Sequence, residues 1–325
     1  MKLGAVSPAA RCPPLFDLEG TRVWVAGHRG LVGSALVRRI EQEPVAEILT
    51  APSADVDLRR QQEAERFVSR TRPDVVFLAA ARVGGIQANL SYQGDFLYDN
   101  LMIGANVLEA TRQAGVSKTV VLGSSCIYPR EAPQPIKEEA LLTGPLEPTN
   151  EGYAIAKIAA LELGKLYRRQ FGMNVISLMP SNVYGPGDNF HPVNSHVLAA
   201  LIRKIHEAKV SGRTTVEVWG TGTPKREFLH ADDLADAAVF SLRNYEGESH
   251  LNVGTGDDIT VRELAELIAD IVGWQGRLVF NTDMPEGSPR KLLDVSRLAT
   301  LGWKARVPLR DGVKQTYRWY LDSIS

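Results

Sequence analysis

Five short apolar runs, TRVWVAG (21–27), VAEILT (45–50), DVVFLAAA (74–81), TVVLGSS (119–125) and NVISLMPSN (174–182), alternate with stretches of helical periodicity. The runs are continuously apolar rather than alternating, so each strand needs cover on both faces. A parallel sheet with helices above and below provides that cover. Between them, Val32, Ala35, Leu36 and Ile40 repeat at helical spacing, as do Phe96, Ile103, Val107 and Ala110 within 95–115. At 325 residues and 44% hydrophobic content the chain is long enough to bury a substantial core.

After about residue 182 the rhythm changes. YGPGDNFHPVNSH (184–196) replaces strand and helix with a proline- and glycine-rich loop that leads into a second lobe. Further on, TVRELAELIADIVG (260–273) predicts a capped helix. Thr260 and Glu263 form the capping box, Leu264, Leu267, Ile268 and Ile271 one face, and Gly273 the stop. In LHADDLADA, Asp232 and Asp233 read as the acid-rich first turn of a helix rather than as a paired-carboxylate acid site.

Composition excludes several roles. A net charge of -1 provides no basic field for nucleic acid, and no apolar run reaches the roughly 18 residues of a membrane span. Two cysteines, Cys12 and Cys126, lie far apart in the sequence. That argues against a disulfide framework and for a reducing, cytoplasmic setting. No metal site is indicated.

The segment VAGHRGLVG places Gly27, Gly30 and Gly33 directly after the first strand and at the opening of the first helix. Gly27 allows the tight turn, Gly30 a close backbone approach to a pyrophosphate, and Gly33 close helix packing, while the helix N-terminus supplies N–H donors. The expected fold is therefore α/β: a Rossmann-type doubly wound parallel sheet over residues 21–182, with residues 1–20 as an N-terminal extension. A returning segment near 226–243 completes it, and residues 183–325 mainly form a smaller C-terminal substrate-binding lobe. The end of the second strand, TAPSADVDL, carries no acid before Asp55, and Arg29 offers a cation in the glycine loop. Both features favour NADP(H) over NAD.

YAIAK puts Tyr153 and Lys157 four residues apart, on one face of a helix, downstream of Ser124 at a strand end. An ammonium at Lys157 is expected to lower the Tyr153 phenol pKa, so that the tyrosine can protonate a carbonyl oxygen as hydride arrives, with Ser124 holding the same oxygen. Cys126, in GSSCIYP, reads either as a reactive thiol near Lys157 and a nucleotide helix terminus or as a small buried hydrophobe, and His196, in NSHV, either as an imidazole able to exchange protons or as a structural hydrogen bonder.

These stretches together, with LAAARVGGIQAN, LEPTNEGYAIAKIA, MPSNVYGPGDNFHPVNSHV, VWGTGTPKREFLHADD and GSPRKLLDVSRL, resemble the extended short-chain dehydrogenase/reductases. More closely they resemble the GDP-L-fucose synthase family. SSCIYP with DNFHPVNSHV carries that narrower resemblance. It implies 3,5-epimerisation and 4-reduction of GDP-4-keto-6-deoxy-D-mannose, with Cys126 as base and His196 as acid, and Tyr153, Lys157 and Ser124 serving the reduction. The cofactor site it implies comprises Gly27, His28, Arg29, Gly30, Leu31, Val32 and Gly33, then Leu122, Gly123, Ser124 and Ser125, with Lys157, Pro180, Ser181, Asn182, Val183 and His196. The GDP-sugar would be held by Lys204, Trp219, Arg226, Glu286 and Lys291.

The chain departs from the family pattern at Ser53, where many members carry an arginine, at Glu286, where aspartate is common, and at Gly152, where proline is frequent and where an effect on loop stiffness is expected. A related nucleotide-sugar reductase or 4-epimerase, such as a GDP-colitose synthase, and a non-catalytic nicotinamide sensor are the alternatives, the last opposed by the intact Tyr153–Lys157 pair. Helices 95–115 and 153–171 are expected to pair across a homodimer, with Leu101 and Leu161 on that surface.

Overall fold

A computed structural model describes residues 14–192, 194–284 and 287–325. The chain runs β1 (Arg22–Ala26), α1 (Leu31–Ile40), β2 (Glu47–Leu49), α2 (Gln61–Thr71), β3 (Val75–Leu78), α3 (Ile86–Ser91), α4 (Gln93–Ala114), β4 (Lys118–Leu122), α5 (Glu151–Phe171) and β5 (Val175–Pro180). It continues with β6 (Asn182–Tyr184), α6 (Val197–Val210), β7 (Thr215–Trp219), β8 (Lys225–Arg226), β9 (Phe228–His230), α7 (Ala231–Asn244), β10 (Leu251–Val253) and β11 (Ile259–Thr260). α8 (Val261–Val272), β12 (Arg277–Asn281), β13 (Arg290–Lys291), α9 (Ser296–Thr300) and α10 (Leu309–Ile324) follow.

Six strands form a parallel sheet in the order β10-β5-β4-β3-β1-β2. The strand pleat sends neighbouring residues to opposite faces, which is why the strands had to be apolar throughout. Val23, Val25, Val75 and Phe77 join Leu36, Ile40, Leu234 and Ala238 in one core. Their immediate neighbours Trp24, Ala26, Val76 and Leu78 join Phe67, Val68, Val107 and Leu108 in the other. The returning segment extends beyond the expected 226–243, because β10 as well as α7 contributes to this fold.

A separate core gathers Leu198, Ile202 and Ile205 from α6, Leu264 and Ile268 from α8, Val216 and Val218 from β7, and Val313 from α10. The capping box of α8 forms as expected, with Gly273 left-handed at its end, and Asp232 and Asp233 occupy the first turn of α7.

Two expectations fail. Leu161 is fully buried against Ile127, Tyr128 and Met179 rather than facing outward, because the inner stripe of α5 must cover the loop after β4. Gly152 lies in the first turn of α5, not in a loop, and a Cβ there would meet the Gln93 carbonyl oxygen at 2.5 Å. It sets how closely α5 approaches α4.

Candidate active site

The chain order of the parallel strands reverses between β1 and β3, and at such a switch point the loops diverge and leave a crevice beyond the strand ends. A continuous cleft of about 1170 Å³ opens there and extends to the second core. Gly27 adopts φ +92, and a Cβ on it would lie 2.7 Å from the Ala80 backbone at the end of β3. A Cβ on Gly33 would lie 2.0 Å from the Gly27 carbonyl oxygen. The glycine turn therefore packs tightly on both sides while Gly30, the N-cap of α1, stays exposed at the mouth.

Every described residue of the expected cofactor set lines the cleft except Gly33, which lies behind the turn it shapes. Two buried polar atoms along that wall, His28 Nδ1 and Ser181 Oγ, have no hydrogen-bond partner among the described residues. A glycine cradle next to a helix N-terminus, with unsatisfied polar atoms beside it, fits a dinucleotide. After β1 and β2, Arg29 and Ser53 are both exposed on the cleft. Arg59 lines it too, but is bound to Asp57 at 2.9 Å and Asp99 at 3.4 Å.

Deeper in, the cleft brings together Ser124, Cys126, Tyr153, Lys157 and His196. β4 ends at Leu122, and a short 3₁₀ turn over Ser125–Ile127, capped by Ser124, turns Cys126 into the cleft. Lys157 is buried and donates to the Leu122 carbonyl at 2.9 Å, with its ammonium 5.8 Å from the centre of the Tyr153 ring.

Burial lowers the Lys157 pKa to about 8. Burial also raises the Tyr153 phenol, Cys126 raises it further, and a hydrogen bond with Ser124 opposes the rise. The expected lowering of the phenol by Lys157 is thus not the balance found. Desolvation disfavours both charged forms, and the ammonium is spent on a carbonyl rather than on the phenol oxygen. Tyr153 consequently stays protonated at neutral pH, as a proton donor requires.

The opposite wall comes from α6 and β7 of the second core and from the small β11-β8-β13 sheet. Lys204, Trp219, Arg226 and Lys291 all line the cleft, and Glu286 lies outside the described residues. The Lys204 ammonium sits 5.2 Å from the Trp219 ring centre, and its pKa is lowered by burial against the opposing pull of Glu217. Strand pairing brings Lys291 of β13 alongside Arg226 of β8, which concentrates positive charge where a diphosphate could bind.

Sequence reasoning missed Asn150, Glu147, Ser288, and Ala79 to Arg82, all on the cleft. The last group could have been found, since the residues after β3 stand at the switch point. The others lie in LEPTNEGYAIAKIA and GSPRKLLDVSRL, which carry the resemblance, but their place on the cleft depends on loops meeting across the fold.

A doubly wound parallel sheet whose glycine turn and strand ends open on a serine, a tyrosine and a lysine defines a nicotinamide-dependent dehydrogenase of the short-chain type. Residues 23–254 match the NAD dependent epimerase/dehydratase family. GDP-L-fucose synthase 1 of Arabidopsis thaliana is 55% identical over 94% of this chain and 95% of its own length. The GDP-L-fucose synthase of Escherichia coli K12 is 50% identical over 93% and 97%. Among solved structures, a GDP-L-fucose synthetase from Naegleria fowleri bound to NADP superposes with a TM-score of 0.89 at 28% identity, covering 96% of this chain and 97% of that one. The chain belongs to the NAD-dependent epimerase/dehydratase family and, within it, to the GDP-L-fucose synthases, which are oxidoreductases with epimerase activity.

Proposed function

We propose that this enzyme converts GDP-4-keto-6-deoxy-D-mannose to GDP-L-fucose, epimerising carbons 3 and 5 and then reducing the 4-keto group with NADPH. The observation that carries the reading is the convergence of Cys126 and His196 with Ser124, Tyr153 and Lys157 in one cleft. NADPH fits the cation in the glycine loop and the lack of an acid at the end of β2, and an NADP-bound relative shares the fold.

A 4-keto group acidifies the protons on both neighbouring carbons. Cys126 takes one of these protons as base, and His196 returns one to the opposite face. The protonated Tyr153, with Ser124, donates a hydrogen bond to the keto oxygen and so stabilises the enolate charge that develops there. When bound, the reduced nicotinamide supplies the hydride for carbon 4. Tyr153 then gives its proton to the oxygen, and Lys157 holds its end of the helix on the Leu122 carbonyl. Gly27 to Gly33 cradle the cofactor pyrophosphate. Lys204, Arg226 and Lys291 hold the substrate diphosphate and sugar, Trp219 offers a face for guanine, and the family resemblance adds Glu286 to the residues that contact the GDP-sugar.

In this reading the six-stranded sheet is the cofactor lobe and the second core the substrate lobe. The enzyme is a homodimer through the outward faces of α4 and α5, where Tyr98, Leu101, Ile155 and Leu166 are exposed.

The test is turnover of GDP-4-keto-6-deoxy-D-mannose with NADPH in D₂O, with the product identified. Stoichiometric NADPH oxidation to GDP-L-fucose carrying deuterium at carbons 3 and 5 is expected. Cys126→Ser should abolish deuterium uptake while sparing reduction of an already epimerised keto sugar. Equal loss of both steps would refute this division of roles.

A further inference from the structure

Asn150 stands at the N-cap of α5 without capping it. Asparagine is favoured there because its side-chain oxygen accepts a backbone N–H of the first turn, yet no such bond forms. Its Nδ2 instead lies 3.2 Å from Cys126 Sγ. Its Oδ1 is buried with no hydrogen-bond partner among the described residues. A second donor approaches the same sulfur: Lys291 Nζ lies at 3.9 Å. A neutral thiol has little use for two N–H donors, whereas a thiolate accepts both.

The two donors come from segments that one carboxylate ties together. Glu147, largely buried, caps the 3₁₀ turn Pro148–Asn150 by accepting from Thr149 N at 3.4 Å. Its other oxygen accepts from Ser288 Oγ at 3.1 Å and pairs with Arg130 at 3.4 Å. Ser288 precedes Lys291 in the turn that enters β13. Glu147 therefore fixes the loop carrying Asn150 against the segment carrying Lys291, and the sulfur sits where the two meet.

We infer that the Asn150 amide, together with the Lys291 ammonium, stabilises the thiolate form in which Cys126 acts as base. The inference rests on the reading of Cys126 as the epimerisation base. Only the S–H bond breaks, its proton passes to solvent, and the charge left on sulfur faces the ammonium. The sulfur then meets the acidified C–H as a base, with its charge held by one donor at the N-cap of α5 and one on β13.

The experiment follows alkylation of Cys126 by iodoacetamide across a pH series, read by peptide mass in a Cys12→Ser chain, for the wild type, Asn150→Ala and Asn150→Asp. Asn150→Ala is expected to react about tenfold more slowly at neutral pH, the effect of losing one hydrogen bond to a charged acceptor, and to catch up at high pH, where every thiol is ionised. Asn150→Asp keeps the side-chain shape, sets a carboxylate beside the sulfur, and should be slower still. No cap bond is lost in either variant, so unchanged circular dichroism is expected. Deuterium wash-in at carbons 3 and 5 of the keto sugar without reduced nicotinamide should fall by a similar factor. Superimposable alkylation profiles for all three chains would overturn the inference, whatever happened to turnover. A displaced profile combined with wash-in that survives Cys126→Ser would uphold the Asn150 contact and overturn instead the role of Cys126 as base.

Discussion

Glu227 is fully buried, yet its carboxylate is the knot that joins three segments next to Arg226 and the strand carrying Lys291. One oxygen accepts from Thr255 N at 2.6 Å and Gly256 N at 2.8 Å, the other from Leu293 N at 3.0 Å. Burial raises its pKa, and these three N–H donors oppose the rise.

Removing the side chain in Glu227→Ala leaves three backbone donors without their acceptor, each costing about 1–3 kcal/mol if it stays dry. Water entering the vacated space satisfies part of this, so a loss of about 4 kcal/mol is expected. Glu227→Gln keeps one accepting oxygen but points an amide N–H₂ at the Leu293 N–H. It also removes the cost of burying a charge, and the net loss should be about 2 kcal/mol.

Arg226 adjoins Glu227, and Lys291 lies two residues before Leu293, so loosening the knot should raise KM for the GDP-sugar about tenfold and leave the NADPH affinity unchanged. Urea unfolding and steady-state kinetics on both variants are the assays. Stabilities within about 0.5 kcal/mol of wild type, together with an unchanged KM, would refute the argument that this carboxylate holds Arg226 and Lys291 in place.

Three further outcomes are expected. Gly33→Ala drives a Cβ to 2.0 Å from the Gly27 oxygen and should weaken NADPH binding at least about tenfold and cost about 1–3 kcal/mol, whereas Gly30→Ala, whose Cβ would have its nearest neighbour at 3.5 Å, should fold normally; fluorescence titration and thermal melts compare the two. Burial, with a smaller push from Lys165, lowers the pKa of His250 to about 4, so between about 6.5 and 4 the unfolded chain binds the proton that the native state refuses, and stability falls as pH falls through that window by about 3 kcal/mol relative to His250→Gln; parallel slopes in pH-dependent melts would contradict this. Leu101→Glu with Leu166→Glu should convert a dimeric mass to a monomeric one in sedimentation, and an unchanged mass would place any interface elsewhere.

Much of the six-stranded sheet was legible because its signals are local. Runs such as DVVFLAAA can be satisfied only by a strand covered on both faces, and the α8 capping box and the left-handed Gly273 were readable from neighbours three or four residues apart. Leu161 was misassigned because helical periodicity identifies stripes but not which stripe another segment covers. In α5 the loop after β4 covers the stripe that contains Leu161 and leaves Ile155 and Leu166 outside.

The residue types of the candidate site, a glycine turn, a serine at a strand end, a tyrosine and lysine four apart, a cysteine and a histidine, follow from the sequence by itself, because each is tied to a short motif or to the end of one element. Its electrostatics do not. That Lys157 donates to the Leu122 carbonyl, that the phenol of Tyr153 is raised rather than lowered, and that the Asn150 amide faces the Cys126 sulfur depend on desolvation and on contacts between segments distant in the chain. Burial and long-range proximity exist only once the chain has closed on itself, so only the tertiary structure could decide them.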